Sequence, residues 1–370
     1  MTKARKSSLD ATVQKQDGEF SGESLIFLIS QPRAGSTLLQ RMLATHSDIY
    51  TTSEPWLMLH PLYALREKGF EAEYNSDSAL GAVRDFLSTL PEGEETYWEA
   101  LRRAFSYLYD RALAGTGKKF FLDKTPRYYF TIPELYRVFP KAKFIFLLRN
   151  PLAVLASILE TWVKDSPFGL SHFRHDLLTA PRRIAEGTEL LKSKAIVVHY
   201  EKLVKDPETT LQELCDRLGI TFHPEMVEYG QYQSPKWHYG DQRSVYQHSR
   251  PVVQYADKWV KVLSRSRMWQ QWARGYLHSL GPDLVGRMGY SYEELEGALS
   301  SIGGHVRATL IPWNLAIKAP RSYSLYEKLW VRSTQMGLRL HRSLRRRGAW
   351  GTFYYSLCKL FKKNFPHEVL

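Results

Sequence analysis

A chain of 370 residues that is 44% hydrophobic and 24% charged has apolar and aromatic material for a sizeable core, which excludes a disordered or fibrous protein. No run of eighteen apolar residues free of charge occurs, so no spanning helix is expected. The net charge of +13 is concentrated: from Arg321 onward eleven basic residues face two acidic ones, which puts +9 of it in the last fifty residues.

Residues 1–22 read as a flexible, polar segment (Lys3, Arg5, Lys6, Lys15) without the apolar stretch of a secretory signal, and a cytoplasmic location is expected. The apolar run Leu25 to Ser30 predicts a buried strand. The helix after it presents Leu38, Leu39, Met42 and Leu43 on one face, and a short strand is expected over 49–52. Helical patterns follow over about residues 57–68, 77–89 and 96–114, then a strand over 119–123. Lys143 to Leu148 is the next strand, and Pro151 opens a helix to about Lys164, since proline is tolerated in a first turn. A strand over 194–199 precedes a helix over 207–218 that Gly219 closes. The polar, aromatic text over 231–255 reads as a long loop over the site. Strands separated by helices predict an α/β protein, three-layered around a parallel sheet. It is assigned to residues 23–300, with a basic helical C-terminal extension over 301–370. The two cysteines, Cys215 and Cys358, lie far apart on helical segments, which argues against a disulfide framework or a zinc site and fits a reducing compartment.

Two motifs carry chemistry. Ser30-Gln31-Pro32-Arg33-Ala34-Gly35-Ser36-Thr37 follows the first strand and opens a helix, the setting of a phosphate cradle. Backbone N–H groups at a helix start converge on an anion, Gly35 allows close approach, and the hydroxyls of Ser36 and Thr37 add donors. The Gly-Lys-Ser/Thr ending of a triphosphate loop is missing, which leaves magnesium-dependent phosphoryl transfer poorly supported. The second motif is Leu147-Leu148-Arg149-Asn150-Pro151 with Ser157 six residues beyond the proline. Arg149 ends a central strand, where open α/β sheets bind ligands, and Ser157 lies on the helix that starts beside it.

Together these motifs resemble the sulfotransferase superfamily, more its tyrosylprotein and bacterial branch than its cytosolic steroid and phenol branch, over about Ser24 to Trp259. The resemblance implies a P-loop-like fold and 3′-phosphoadenosine-5′-phosphosulfate (PAPS) as donor, with no metal. It implies that Arg33, Ala34, Gly35, Ser36 and Thr37 hold the 5′-phosphosulfate, and Arg149 and Ser157 the 3′-phosphate. Asp123-Lys124-Thr125-Pro126 follows the strand over 119–123; the cytosolic branch has its histidine base where Pro126 stands. The tyrosylprotein branch uses a glutamate some twenty residues after the loop arginine, and Glu54 stands twenty-one residues after Arg33. Glu54 is therefore the expected base, and Lys124 matches the lysine that counters charge on the bridging oxygen. Tyr200 matches a nucleotide-contacting tyrosine. Ser244 and Lys258 match a distal loop that closes over the donor, Lys258 being offset by one residue. Thr161 stands where the tyrosylprotein branch has a basic residue.

The histidines show no metal-ligand spacing. Beyond Arg321, aromatic and leucine residues alternate with Arg332, Arg339 and Arg345 to Arg347. That pattern fits either a helix lying on an anionic membrane or a helical extension packed on the body; nucleic acid is disfavoured because no reading motif accompanies the charge. The expected acceptor is a small molecule, a carbohydrate or a lipid. Two rival classes are a P-loop nucleotide kinase and a non-catalytic membrane-associated protein with this fold.

Overall fold

The computed structural model describes residues 22–164, 169–231, 247–302 and 311–318. The basic segment from Arg321 onward lies outside the described residues, as do Ser244 and most of the aromatic loop before it.

Five strands, β1 (Leu25–Ser30), β2 (Ile49–Thr51), β3 (Phe120–Asp123), β4 (Lys143–Leu148) and β5 (Ala195–His199), form one sheet. Their order is β2-β3-β1-β4-β5, and every pairing is parallel. The helices are α1 (Ser36–Ala44), α2 (Leu59–Tyr63), α3 (Ser76–Ser88), α4 (Glu94–Leu113), α5 (Ile132–Val138), α6 (Pro151–Ile158) and α7 (Ala180–Leu191). They continue as α8 (Tyr200–Lys205), α9 (Pro207–Leu218), α10 (Lys258–Ser264), α11 (Arg267–Arg287), α12 (Tyr292–Ser301) and α13 (Trp313–Ala316).

Because side chains alternate along a strand, a parallel sheet buried on both sides needs apolar residues at every position. In β1, Ile26 and Leu28 pack with α1, α8 and α9. Leu25, Phe27 and Ile29 pack on the opposite face with α4, α5 and α7. The ring of Phe27 lies 5.5 to 6.3 Å from those of Tyr109, Tyr128, Phe139 and Phe144. A third core joins α6 to α10, α11 and α12 and includes Ile311, Trp313, Ala316 and Ile317, so it draws on residues beyond 300. The α/β, three-layer architecture expected from the sequence is the one observed.

Local chemistry sets several boundaries. Asp206 caps α9 by accepting from Thr209 N–H, Pro207 takes the first turn, and Gly219 ends it at φ 68°. The Asn150 side chain accepts from the N–H groups of Leu152 and Ala153 at the start of α6. Two helices are shorter than expected. The pattern over 57–68 yields only α2, which starts late because Pro61 has no N–H to donate to Leu57 and Trp56 is left-handed at φ 57°. The helix opened by Pro151 leaves α geometry at Ile158 and continues as a wide π turn, Leu159–Val163, closed by a 2.7 Å bond from Lys164 N to Leu159 O.

Candidate active site

All five strands end on the same side of the sheet, and each leads there to a side chain that the sequence singles out. The loop after β1 turns sharply: Ala34 N donates to Gln31 O at 3.1 Å, and both Arg33 (φ 71°) and Gly35 (φ 98°) are left-handed. Gly35 is required twice over. Beyond its φ, a Cβ there would lie 2.4 Å from Cδ2 of the buried Tyr200 ring, which covers the loop from the start of α8. No side chain caps α1 at Gly35, whose carbonyl accepts from Leu38 N at 3.0 Å and Leu39 N at 3.2 Å, so the helix begins directly at the loop.

Arg149, at the end of β4, reaches back over this loop. Its guanidinium lies 4.1 Å from the Tyr200 ring centroid, and it donates to the carbonyls of Arg33 and Tyr255, both at 2.9 Å. Its Nε is buried without a hydrogen-bond partner among the described residues, as is Ser30 Oγ. Arg33 Nε donates to Ser157 Oγ at 3.1 Å. Glu201 locks two strand ends together, accepting from Asn150 N at 2.9 Å and from the Tyr290 hydroxyl at 2.8 Å. Burial, then the Glu201 charge, pushes the Tyr290 phenol far above its ordinary range.

On the other side of β1, the ends of β2 and β3 supply a buried ion pair. Lys124 Nζ donates to Glu54 Oε1 at 2.6 Å, with the lysine side chain 1% and the glutamate 10% exposed. Glu54 Oε2 also accepts from Trp56 Nε1 at 3.1 Å. Behind the pair, Asp123 Oδ2 accepts from the hydroxyls of Tyr109 (2.7 Å) and Tyr128 (2.8 Å), and its Oδ1 from Thr125 (2.9 Å). Burial pushes the Asp123 carboxyl up to about 6, against the pull of those three hydroxyls and of Lys124. Since β3 and β4 both pair with β1, the Lys124 and Arg149 ends flank the Arg33 loop at about one strand spacing, roughly 4.8 Å, on either side.

The structure thus brings together Arg33, Gly35, Ser36, Thr37, Arg149, Ser157 and Tyr200, and sets Glu54 against Lys124. Ala34 is buried beneath the loop in the α6 core. Lys258 stands at the rim, its Nζ 5.8 Å from the Tyr255 ring and paired with Glu160 at 2.7 Å. Sequence reasoning missed the Tyr109–Asp123–Tyr128 network. Asp123 adjoins the Lys124 motif, but nothing local marks Tyr109, in mid-helix on α4, as its partner. Among the described residues, no three His, Cys, Asp or Glu side chains form a group that would hold a metal ion.

Cations gathered at the carboxyl ends of parallel strands, beside the start of α1, are the setting in which open α/β sheets bind anionic ligands. More specifically, a model of the sulfotransferase family matches residues 25–224, and the chain belongs to that family. It is 31% identical over 245 residues to nodulation protein NoeE of Sinorhizobium fredii, covering 59% of this chain and 56% of that protein. Protein-tyrosine sulfotransferase 1 of Danio rerio is 27% identical over 210 residues, covering 55% of this chain and 56% of the relative. The match therefore spans little more than half the length of either protein. Among solved structures, the sulfotransferase domain of the Synechococcus PCC 7002 olefin synthase is 27% identical, with a TM-score of 0.44, covering 64% of this chain and 86% of that one. A mouse sulfotransferase complexed with PAP is 16% identical, with a TM-score of 0.41, covering 76% and 92% of the two chains.

Proposed function

We propose that this protein moves a sulfonate group from PAPS to a hydroxyl or amine of an acceptor, in line, with Glu54 as the base. The observation that carries the reading is the pairing of two groups of residues across β1. Arg33, Arg149, Ser157 and Tyr200 surround the start of α1, and Glu54 with Lys124 stand one strand away. The first group suits a bisphosphorylated nucleotide. Arg149 has a buried, unpartnered Nε and the tyrosine face to support its guanidinium, and the Gly35 turn sets the N-terminus of α1 beside it, where a helix start favours an anion.

In the reaction the acceptor oxygen forms a bond to sulfur as the bond from sulfur to the bridging oxygen breaks. Glu54 takes the acceptor proton, and the electron pair of the broken bond leaves on the 5′-phosphate of the product, 3′-phosphoadenosine-5′-phosphate (PAP). Lys124 and Arg33 counter the charge that develops on the bridging oxygen and the sulfonate. The Lys124 side chain is 1% exposed, and a fixed, desolvated cation stabilises developing charge more than one in water.

The test is a thermal-shift comparison joined to transfer of labelled sulfonate. PAP is expected to raise the melting temperature by mass action on the native state, and ATP with magnesium to do so much less. A larger shift with ATP and magnesium refutes the donor assignment in favour of a kinase.

A further inference from the structure

Trp162 is a large aromatic residue left 43% exposed, and its surroundings do not suggest an ordinary surface residue. The Arg33 guanidinium carbon lies 5.3 Å from the centroid of its ring. The ring also stacks on Phe173, with centroids 4.9 Å apart and planes at 12°. Arg33 therefore contacts two residues of one segment: Ser157 through a 3.1 Å hydrogen bond, and Trp162 through a cation–π contact.

Those two residues are five apart. In a continuous α-helix that spacing turns them about 140° away from one another, so they would not face one side chain. The π turn Leu159–Val163 winds more residues into each turn and brings positions five apart toward one face. The turn is held from outside as well, since Glu160 accepts from Lys258 at 2.7 Å and from Arg265 at 2.8 Å, both at α10. Arg33 itself has a left-handed backbone (φ 71°), a conformation that persists in a non-glycine residue only when its surroundings enforce it.

We propose that Trp162 is a positioning residue for Arg33, fixing the guanidinium against the ring so that it meets the donor's phosphosulfate already oriented. The inference rests on the donor reading above and adds to it a residue that no sequence motif marked. A flat aromatic face suits a planar cation because it attracts the guanidinium without a competing hydrogen bond.

Calorimetric titration of PAPS into wild-type protein and into the variants Trp162→Leu, Trp162→Gln and Trp162→Phe tests this. Leu and Gln, either of which suffices, are expected to weaken PAPS binding about three- to tenfold, the range of an exposed to partly desolvated cation–π contact. Phe should stay within about twofold, and melting temperatures should move little, because the ring is not part of a buried core. The decisive arm is Arg33→Ala: in that background the Trp162 substitutions should cost nothing further. Unchanged PAPS affinity in Trp162→Leu and Trp162→Gln, or an equal loss with and without Arg33, overturns the proposal while leaving the donor reading intact. Wild-type protein that binds neither PAPS nor PAP overturns the donor reading, and this inference with it.

Discussion

Glu54→Gln removes proton acceptance while keeping the size of the side chain. Glutamine also keeps an amide oxygen for Lys124, whose Nζ now donates to Glu54 Oε1 at 2.6 Å. It removes the proton acceptor and the carboxylate charge that faces the Lys124 ammonium, which is 1% exposed. If Glu54 is the base, turnover falls by about 10²–10⁴-fold, the usual contribution of general acid–base catalysis. Stability should also drop, by less than the roughly 3–5 kcal/mol that breaking a buried pair costs, because the Asp123 carboxyl also acts on Lys124. The drop nears that figure only if the amide oxygen fails to hold Lys124. PAP affinity should hardly change, because the donor grip lies across β1 at Arg33 and Arg149. Initial rates of labelled sulfonate transfer, PAP titration and urea unfolding on the same preparation keep the three effects apart. Turnover within a few-fold of wild type, with PAP binding intact, would falsify the assignment of the base.

Gly35→Ala should both strain the loop at φ 98° and drive a methyl group to within 2.4 Å of the Tyr200 ring; a loss of about 1–3 kcal/mol in urea unfolding and at least tenfold weaker PAP binding are expected. Unimpaired PAP binding would contradict the cradle. Asp123 titrates at about 6 in the fold against an ordinary 3.8, so the native state holds its proton more tightly than the unfolded chain. Stability from this group is then greatest below about pH 4 and declines by about 3 kcal/mol in all as pH rises through 6 to about 7. Urea midpoints of wild type and Asp123→Asn between pH 4 and 7 check this, and parallel curves would show that the carboxyl is not raised. Residues 321–370, with +9 of the chain's +13, are proposed to bind anionic membranes and bring the site to lipid-borne acceptors. Full-length protein should cosediment with anionic vesicles in a salt-sensitive way and a version ending at Pro320 should not; equal behaviour of the two removes the lipid inference.

Much of what depends on neighbours in the chain was legible in the sequence. The α9 boundaries follow from Asp206, Pro207 and Gly219, each acting within one turn, and the loop motif stands out because its residues are contiguous between β1 and α1. The alternation of strands and helices likewise sufficed for a parallel three-layer sheet, since short buried strands need apolar residues on both faces. Tertiary structure alone decided which distant residues meet. The order β2-β3-β1-β4-β5 sets Lys124 and Arg149 on opposite sides of the Arg33 loop, and no local pattern encodes strand order. Tyr109 reaches Asp123 only because α4 packs across the sheet face that holds Phe27 and Phe121. The contact between Arg33 and Trp162 depends on a π turn whose residues, Leu-Glu-Thr-Trp-Val, carry no signature that separates it from α-helix. Hydrogen bonds one turn apart are set by the local chain, whereas contacts between different elements are set by packing of the whole molecule.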